Sequence, residues 1–195
     1  MLEAFSSTSN NDINTLYFGV FEMDKGLLIV NTGNGKGKTT AALGLAFRAI
    51  GHRKKVCVIQ FIKGSETYGE LLAVEKYKGL IDIFVTGNGF TWQSDDIAAD
   101  QACAIKGWQL AKQQLNSSKY FMVILDELTY LMTLGFLETD VILNNIKQRR
   151  EDLHVVVTGR YAPGKLIKTA DLVTEMQEVK HPYRMGVMAQ KGIEF

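Results

Sequence analysis

Residues 32–40 read TGNGKGKTT, and they lie between a short apolar run at 27–30 and a segment whose apolar residues recur at helical spacing. A glycine-rich turn that joins a strand to a helix and ends in Gly-Lys-Thr is typical of a phosphate-binding loop. Glycine adopts backbone angles that other residues avoid, so the chain can pass close to an anion. The amide N–H groups converge at the positive end of the helix. This stretch therefore predicts a nucleotide site.

The side chains of the loop predict how phosphate is held. Lys38 brings a cation to the outer phosphates, and Thr39 has a hydroxyl placed to bind Mg²⁺. The usual pattern has a glycine five residues before Gly37, where this chain has Thr32, and Lys36 adds a second cation. A glycine-rich turn without a ligand is the alternative, but Gly-Lys-Thr has no evident packing use at a helix start. The predicted ATP-binding residues of the loop are Gly33, Asn34, Gly35, Lys36, Gly37, Lys38, Thr39 and Thr40.

A second strand end carries two carboxylates. The apolar run 121–125 is followed by Asp126 and Glu127, about 90 residues after the loop, in the arrangement of a Walker B motif. We predict that Asp126 binds Mg²⁺ together with Thr39. Glu127 has three interpretations: it orients an attacking water in a hydrolase, it binds a ribose hydroxyl in an enzyme that spares ATP from hydrolysis, or it is a solvated carboxylate.

Apolar runs alternate with helical patterns along the rest of the chain. Such alternation indicates a parallel sheet covered on both faces, so we predict an α/β, three-layer P-loop NTPase-like (RecA-like) domain with a mostly parallel central sheet. Residues 26–195 form one domain in this interpretation, and residues 1–25 form an arm. The predicted strands are 26–31, 55–61, 81–86, 121–125, 154–158 and 171–178, and the predicted helices are 38–50, 68–78, 95–115 and 138–150.

Composition limits the cellular context. A formal net charge of +1 gives no global field that would attract nucleic acid or an anionic membrane. The two cysteines, Cys57 and Cys103, lie in unrelated apolar surroundings, which favours a reducing compartment over a disulfide framework. The apolar runs are too short to span a bilayer, and residues 1–4 do not resemble the start of a signal peptide. We therefore expect a cytoplasmic protein with neither a nucleic-acid nor a membrane partner.

Further stretches extend the two motifs. VIQFIKG at 58–64, GFTW at 89–92, VTGR at 157–160 and the tail 179–195 occur in this order after the phosphate loop. Together with the loop and LDELTY at 125–130, they resemble the P-loop type of ATP:corrinoid adenosyltransferase, from about residue 26 to residue 195. The arm departs from the family, because it is not the basic helical extension that covers the corrinoid in some relatives.

The resemblance implies a specific chemistry. In this family Co(I) of a corrinoid attacks C5′ of ATP and tripolyphosphate leaves, so the loop and Lys38 stabilise a leaving group. Phe90 and Trp92 match the aromatic pair that displaces the lower axial ligand of cobalt and excludes water. Arg160 and His181 match positions beside the nucleotide. The resemblance also implies a homodimer and a flavoprotein that supplies electrons.

The residues alone leave alternatives open. Phe90 and Trp92 also fit an aromatic pair that packs a loop, and Arg160 also fits a surface position. The tail 192–195 either folds over the nucleotide or frays. Two other functions share the motifs, namely a P-loop ATPase or switch and a small-molecule kinase, but neither needs the GFTW stretch.

Overall fold

The computed structural model describes residues 25–64, 68–87 and 97–194. Its centre is a six-stranded sheet in the order β3-β2-β4-β5-β1-β6, and every pairing is parallel. The strands are β1 Leu28–Thr32, β2 Val56–Gln60, β3 Ile81–Val85, β4 Met122–Asp126, β5 His154–Thr158 and β6 Leu172–Glu175. All six predicted strands and the P-loop NTPase-like fold class are confirmed.

Helices cover both faces of this sheet. They are α1 Lys38–Gly51, α2 Gly69–Val74, α3 Ile97–Leu115, α4 Thr129–Thr133, α5 Thr139–Lys147 and α6 Gly164–Thr169, with 3-10 turns at Glu75–Tyr77 and Pro182–Met185. Ala42, Ala46 and Ala49 of α1 pack on one face, in a cluster with Val58 and Ile124. Trp108 of α3 and Ile142 of α5 pack on the other, against Val123. The fold therefore has three layers, with helices on each face of the central sheet.

The strands at the centre are continuously apolar because both of their faces are covered. β1, β2 and β4 are buried along their whole length, whereas every residue of the edge strand β6 is exposed. Parallel pairing brings the carboxyl ends of all six strands to one edge of the sheet. The residues that follow β1 and β4, which carry the two motifs, therefore lie on the same edge.

Several helix bounds differ from the expected ones. The segment 68–78 is helical only over Gly69–Val74 and then tightens into the 3-10 turn. α1 runs through Gly51, and the left-handed residue that follows is Arg53, with φ of 57°. The predicted start of the long helix at 94–96 lies outside the described residues. Within the described part of the chain, no helix combines the length and apolar character needed to cross a membrane.

Candidate functional site

The phosphate loop is fixed by backbone contacts to the segment after β6. Gly33 and Gly37 have φ of 94° and 110°, which only glycine adopts easily. The Gly35 N–H donates to Met176 O at 2.7 Å, and the Met176 N–H donates to Thr32 O at 2.8 Å. A Cβ atom on Gly33 would lie 2.4 Å from Met176 O. Gly33 is therefore needed for close packing as well as for its backbone angle.

Lys38 lies across the inside of this loop. Its side chain is buried, and Nζ donates to Gly33 O at 2.9 Å and to Gly35 O at 2.8 Å. Burial lowers the pKa of Lys38, and the carboxylates of Glu127 and Asp126 oppose that shift. Two carbonyl oxygens thus hold the ammonium group inside the phosphate loop.

Asp126 is the polar centre of the site. It has no exposed surface, and Oδ1 accepts hydrogen bonds from Thr39 Oγ1 at 2.8 Å and from Thr158 Oγ1 at 2.7 Å. Gln60 Nε2 donates to Oδ2 at 3.3 Å. Residues from β2, β5 and α1 therefore satisfy the carboxylate, as a buried charge requires.

Glu127 is held in an unusual backbone conformation. Its φ is 62°, in the left-handed region that non-glycine residues seldom occupy, and its N–H donates to Thr158 Oγ1 at 2.9 Å. Within the described part of the chain, its buried Oε2 has no hydrogen-bond partner. Burial raises the pKa of Glu127 to about 7, with a further contribution from Asp126, while Lys38 and Arg160 oppose the rise. Strain and an unsatisfied buried oxygen mark a group that is built to meet a ligand.

A tight turn after β5 supports Glu127 and Arg160. Gly159 has φ of 138°, and a Cβ there would lie 2.0 Å from Thr129 Oγ1. The Thr129 hydroxyl donates to Arg160 O at 2.7 Å. The glycine thus lets α4 approach β5, and this contact fixes the backbone from which the exposed Arg160 side chain extends.

Two cavities adjoin at the loop, with volumes of about 460 Å³ and about 410 Å³. Lys36, Lys38 and Glu127 line both. The first, the lysine cavity, is also lined by Gly37, Thr39, Thr40, Leu43, Lys63, Gly69, Glu70, Gly192, Ile193 and Glu194. The second, the arginine cavity, is also lined by Asn34, Gly35, Tyr130, Arg160 and His181. Both volumes suit a small-molecule ligand.

The tail of the chain closes one wall of the lysine cavity. Glu194 Oε1 lies 3.2 Å from Lys36 Nζ, and Glu194 Oε2 accepts from the Gln190 N–H at 2.8 Å. Lys63 forms an ion pair with Glu70 on the opposite wall. The described part of the tail thus lies beside the phosphate loop, as expected if it folds over a nucleotide.

The structure brings the predicted residues of both motifs together. Residues 34–40, Glu127, Arg160 and His181 line the two cavities, and Asp126 lies directly behind Thr39. Phe90 and Trp92 lie outside the described residues, so their placement stays a prediction. Sequence reasoning did not assign a role to Thr158, Gln60 or Glu194 individually. All three lie in stretches that carry the family resemblance, which was the one available signal.

The arrangement fits Mg²⁺ bound together with phosphate. The groups available are a hydroxyl on the cavity wall, Thr39, and the carboxylate of Asp126 hydrogen-bonded to it at 2.8 Å, both hard oxygen donors. In the described part of the chain, no group of three or more His, Cys, Asp or Glu side chains could hold a metal ion by itself. Mg²⁺ at nucleotide sites takes its other ligands from phosphate and water, so no such cluster is needed.

Comparison with known proteins identifies the family to which this chain is similar. The model of the ATP:corrinoid adenosyltransferase family BtuR/CobO/CobP matches residues 24–195. A corrinoid adenosyltransferase from Sinorhizobium sp is 45% identical over 174 residues, which cover 88% of this chain and 81% of that protein. Another from Escherichia coli K12 is 42% identical over 172 residues, which cover 88% and 87%. Among solved structures, flagellar accessory protein FlaH from Methanocaldococcus jannaschii aligns with a TM-score of 0.53 and 12% identity, over 77% of this chain and 71% of that one, a likeness of fold alone.

Proposed function

The chain belongs to the ATP:corrinoid adenosyltransferase family, and from that premise we propose that it transfers the 5′-deoxyadenosyl group of ATP to Co(I) of a corrinoid and releases tripolyphosphate. The electron pair of Co(I) forms the Co–C5′ bond, and the electrons of the C5′–O bond leave with the triphosphate. The observation that carries the proposal is that Lys38 lines both cavities, so a cation lies between the sites that we assign to the triphosphate and to the nucleoside of ATP.

The lysine cavity suits the triphosphate. Lys36, Lys38 and Lys63 line it, and loop amides add further donors. Negative charge grows on the triphosphate as the C5′–O bond breaks, so fixed cations stabilise the transition state more than the ground state. Glu194 and Glu70 hold two of these lysines at the cavity wall, and a triphosphate carries enough charge to compete with either carboxylate.

The arginine cavity suits the nucleoside. Its lining offers hydrogen-bonding groups of both kinds, including Asn34, Arg160 and His181. Glu127 lies between the cavities with a buried oxygen that lacks a partner in the described part of the chain. We assign it to a ribose hydroxyl, since that contact satisfies the oxygen without activating water.

Thr39 and Asp126 would hold Mg²⁺, which supplies positive charge to the phosphates of the leaving group. The Thr39 hydroxyl lines the cavity and the Asp126 carboxylate orients it. The three hydrogen-bond donors to Asp126 fix the orientation of its carboxylate toward this position.

The corrinoid side of the reaction rests on Phe90 and Trp92. Segment 88–96, which contains both rings, follows Thr86 and Gly87 in sequence. Those two residues lie at the carboxyl end of β3, the edge of the sheet that carries the cavities. We assign the two rings to one corrin face, where they remove the lower ligand and exclude water, which eases reduction to Co(I). We further propose a cytoplasmic homodimer with one catalytic domain at 26–195 that receives electrons from a flavoprotein.

Product identity tests the proposal. The protein is incubated anaerobically with ATP, Mg²⁺ and chemically reduced cobalamin, and the phosphate product is identified. We expect tripolyphosphate together with a light-sensitive cobalt–carbon product. ADP or orthophosphate as the main product would instead assign the site to a kinase or an ATPase.

A variant links this product to the loop. Lys38→Ala is expected to lower the rate of alkylation roughly 10²–10³-fold, because it removes a charge aimed at the leaving group. Lys165→Ala is the matched control, since that lysine is exposed and pairs with Asp140 away from the site. Equal rates in Lys38→Ala and in the unmodified protein would contradict the proposal.

A further inference from the structure

The tail of the chain places a carboxylate against a lysine of the phosphate loop. Glu194 Oε1 lies 3.2 Å from Lys36 Nζ, and both residues line the lysine cavity. The adenosyl transfer proposed above needs Lys36 to face the triphosphate. The carboxylate and the triphosphate therefore require the same ammonium group.

Residues 190–194, the tail turn, hold this carboxylate in place. The Gln190 N–H donates to Glu194 Oε2 at 2.8 Å, and the Glu194 N–H donates to Gln190 O at 2.9 Å. Gly192 has φ of 81°, which lets the chain reverse direction here. The Gln190 N–H, with Lys36 and His181, holds the pKa of the Glu194 carboxyl below its ordinary value, although desolvation opposes the shift. The carboxylate is therefore ionised at neutral pH.

Among the described residues, the lining of the lysine cavity holds as many carboxylates as ammonium groups. Its charged members are Lys36, Lys38, Lys63, Glu70, Glu127 and Glu194. Lys63 pairs with Glu70, as Lys36 does with Glu194. The Lys36 side chain is 43% exposed, against 22% for Lys63, so water screens the Lys36–Glu194 pair more strongly. A polyanion that enters the cavity therefore separates this pair at the lower cost.

The charge of the leaving group makes such a pair useful. When the C5′–O bond breaks, its electron pair stays with the phosphate chain, so tripolyphosphate carries one more negative charge than the triphosphate of ATP. Fixed cations that stabilise this charge in the transition state also retain the product. A carboxylate that returns to Lys36 offsets that retention.

We propose that Glu194 is an internal competitor for Lys36: the triphosphate of ATP displaces its carboxylate, which returns as tripolyphosphate leaves. This role rests on the function proposed above, because it requires the triphosphate to bind in the lysine cavity. The apparent affinity for either ligand is then lowered by the fraction of protein in which Lys36 is paired with Glu194. Glu194 acts through Lys36 in this role and is not itself a catalytic residue.

Calorimetric titration with inorganic tripolyphosphate tests the competition, since it needs neither a corrinoid nor an electron donor. Glu194→Gln keeps the size of the side chain and an acceptor oxygen but removes the charge. We expect tripolyphosphate to bind about three- to fivefold more tightly to this variant at low salt, as for the loss of one partly exposed ion pair. The gain should shrink at high salt. Inhibition of the transfer reaction by tripolyphosphate should strengthen by the same factor.

Two controls separate competition at Lys36 from a change in net charge. Glu75→Gln removes the same charge from an exposed ion pair with Lys78 that lines neither cavity, and it is expected to leave the affinity for tripolyphosphate unchanged. In a Lys36→Met background, Glu194→Gln is expected to give no gain, because the lysine through which it acts is gone.

The opposite results overturn the proposal. Weaker or unchanged binding of tripolyphosphate by Glu194→Gln would mean that the carboxylate helps to hold the ligand or only supports the tail turn. A gain that persists in the Lys36→Met background, or that Glu75→Gln reproduces, would be an effect of net charge. Formation of the cobalt–carbon product by the unmodified protein is measured separately, so failure of the competitor role is distinguishable from failure of the adenosyl transfer.

Discussion

At the scale of single residues, Asp126 is the group on which the site depends. A buried carboxylate must have its hydrogen-bond capacity met, and Thr39, Thr158 and Gln60 meet it from three different elements. The Thr158 hydroxyl also accepts from the Glu127 N–H, so one side chain aligns both carboxylate-bearing residues. The acidic pair is thus positioned by groups that are not themselves charged.

Removal of the Thr39 hydroxyl tests this arrangement. Thr39→Val keeps the shape of the side chain but takes one donor from Asp126 and the proposed oxygen ligand from Mg²⁺. We expect alkylation to slow roughly 10²-fold and the Mg²⁺ concentration for half-maximal rate to rise, since an ion-binding oxygen is lost. Thr39→Ser keeps the hydroxyl and is expected to stay within about threefold of the unmodified rate.

Controls for this prediction use a threonine elsewhere. Thr169→Val removes a hydroxyl that donates only to Lys165 O in α6, so it reports what a generic change from threonine to valine does. If Thr39→Val and Thr39→Ser show the same rate and the same Mg²⁺ dependence, the hydroxyl has no role in binding the ion.

The sequence revealed the residues whose chemistry is local to a motif and missed those whose role depends on three-dimensional neighbours. Lys38, Thr39 and Asp126 can be identified from the sequence because their motifs fix both residue type and spacing. Thr158 and Gln60 belong to no motif of that kind, and their importance follows from which strands flank β4. The left-handed backbone of Glu127 is set by tertiary contacts, so no local pattern could predict it.

At the scale of elements, the phosphate loop is bound to the segment that follows the edge strand β6. Hydrogen bonds join the Gly35 N–H to Met176 O at 2.7 Å and the Met176 N–H to Thr32 O at 2.8 Å. A Cβ on Gly35 would lie 2.6 Å from Gln177 O, which a backbone carbonyl cannot relieve by changing rotamer. The loop therefore keeps its shape through a neighbour about 140 residues away in sequence.

Gly35→Ala is expected to force these two segments apart. We predict a loss of about 1–3 kcal/mol in the free energy of unfolding, as for overpacking, and at least about tenfold weaker ATP binding. Urea denaturation and calorimetric titration with ATP measure the two effects.

Gly44→Ala is the matched control, because Gly44 lies in α1 with no atom within 4 Å of an added Cβ. Alanine there is expected to stabilise the protein by roughly 0.5–1 kcal/mol, since glycine is unfavourable within a helix. If Gly35→Ala were as stable as Gly44→Ala, the contact between the loop and residue 176 would have no structural importance.

The strands were more predictable than the short helices. Continuous apolar runs bounded by polar residues identified the buried strands of the sheet, because a parallel strand that is covered on both faces needs apolar side chains on both. The edge strand β6 is exposed and has no such run. The helices α4 and α6 span only Thr129–Thr133 and Gly164–Thr169, too few residues for a helical period to show. They form because tertiary contacts hold them, as Gly159 does for α4.

At the scale of the whole molecule, strand order explains how the site is assembled. β5 lies between β4 and β1, so the residue that ends β5, Thr158, falls between the Walker B carboxylate and the phosphate loop. Thr158, Asp126 and the phosphate loop are far apart in sequence, and only the crossover connections bring them to one edge of the sheet. The fold class could be predicted from alternation alone, whereas this order could not.

Cys57 reports on the integrity of that sheet. It lies in β2 with no exposed surface, and burial raises the pKa of its thiol to about 12, with a further contribution from Asp82. Cys103 is half-buried, and its Sγ donates to Thr86 O at 2.8 Å. At pH 8 we expect one thiol, that of Cys103, to be alkylated in the native protein. We expect Cys57 to react at least about 10³-fold more slowly in the native protein than in urea, because little thiolate forms and the reagent is excluded.

Single-thiol variants assign the two rates, with Cys103→Ser leaving Cys57 and Cys57→Ala leaving Cys103. Because β2 pairs with both β3 and β4, exposure of Cys57 requires opening of the centre of the sheet, so its alkylation rate should follow the unfolding equilibrium as urea is added. The rate for Cys103 should change little below the unfolding transition. Rapid alkylation of Cys57 in native buffer would mean that β2 is not an interior strand of an intact parallel sheet.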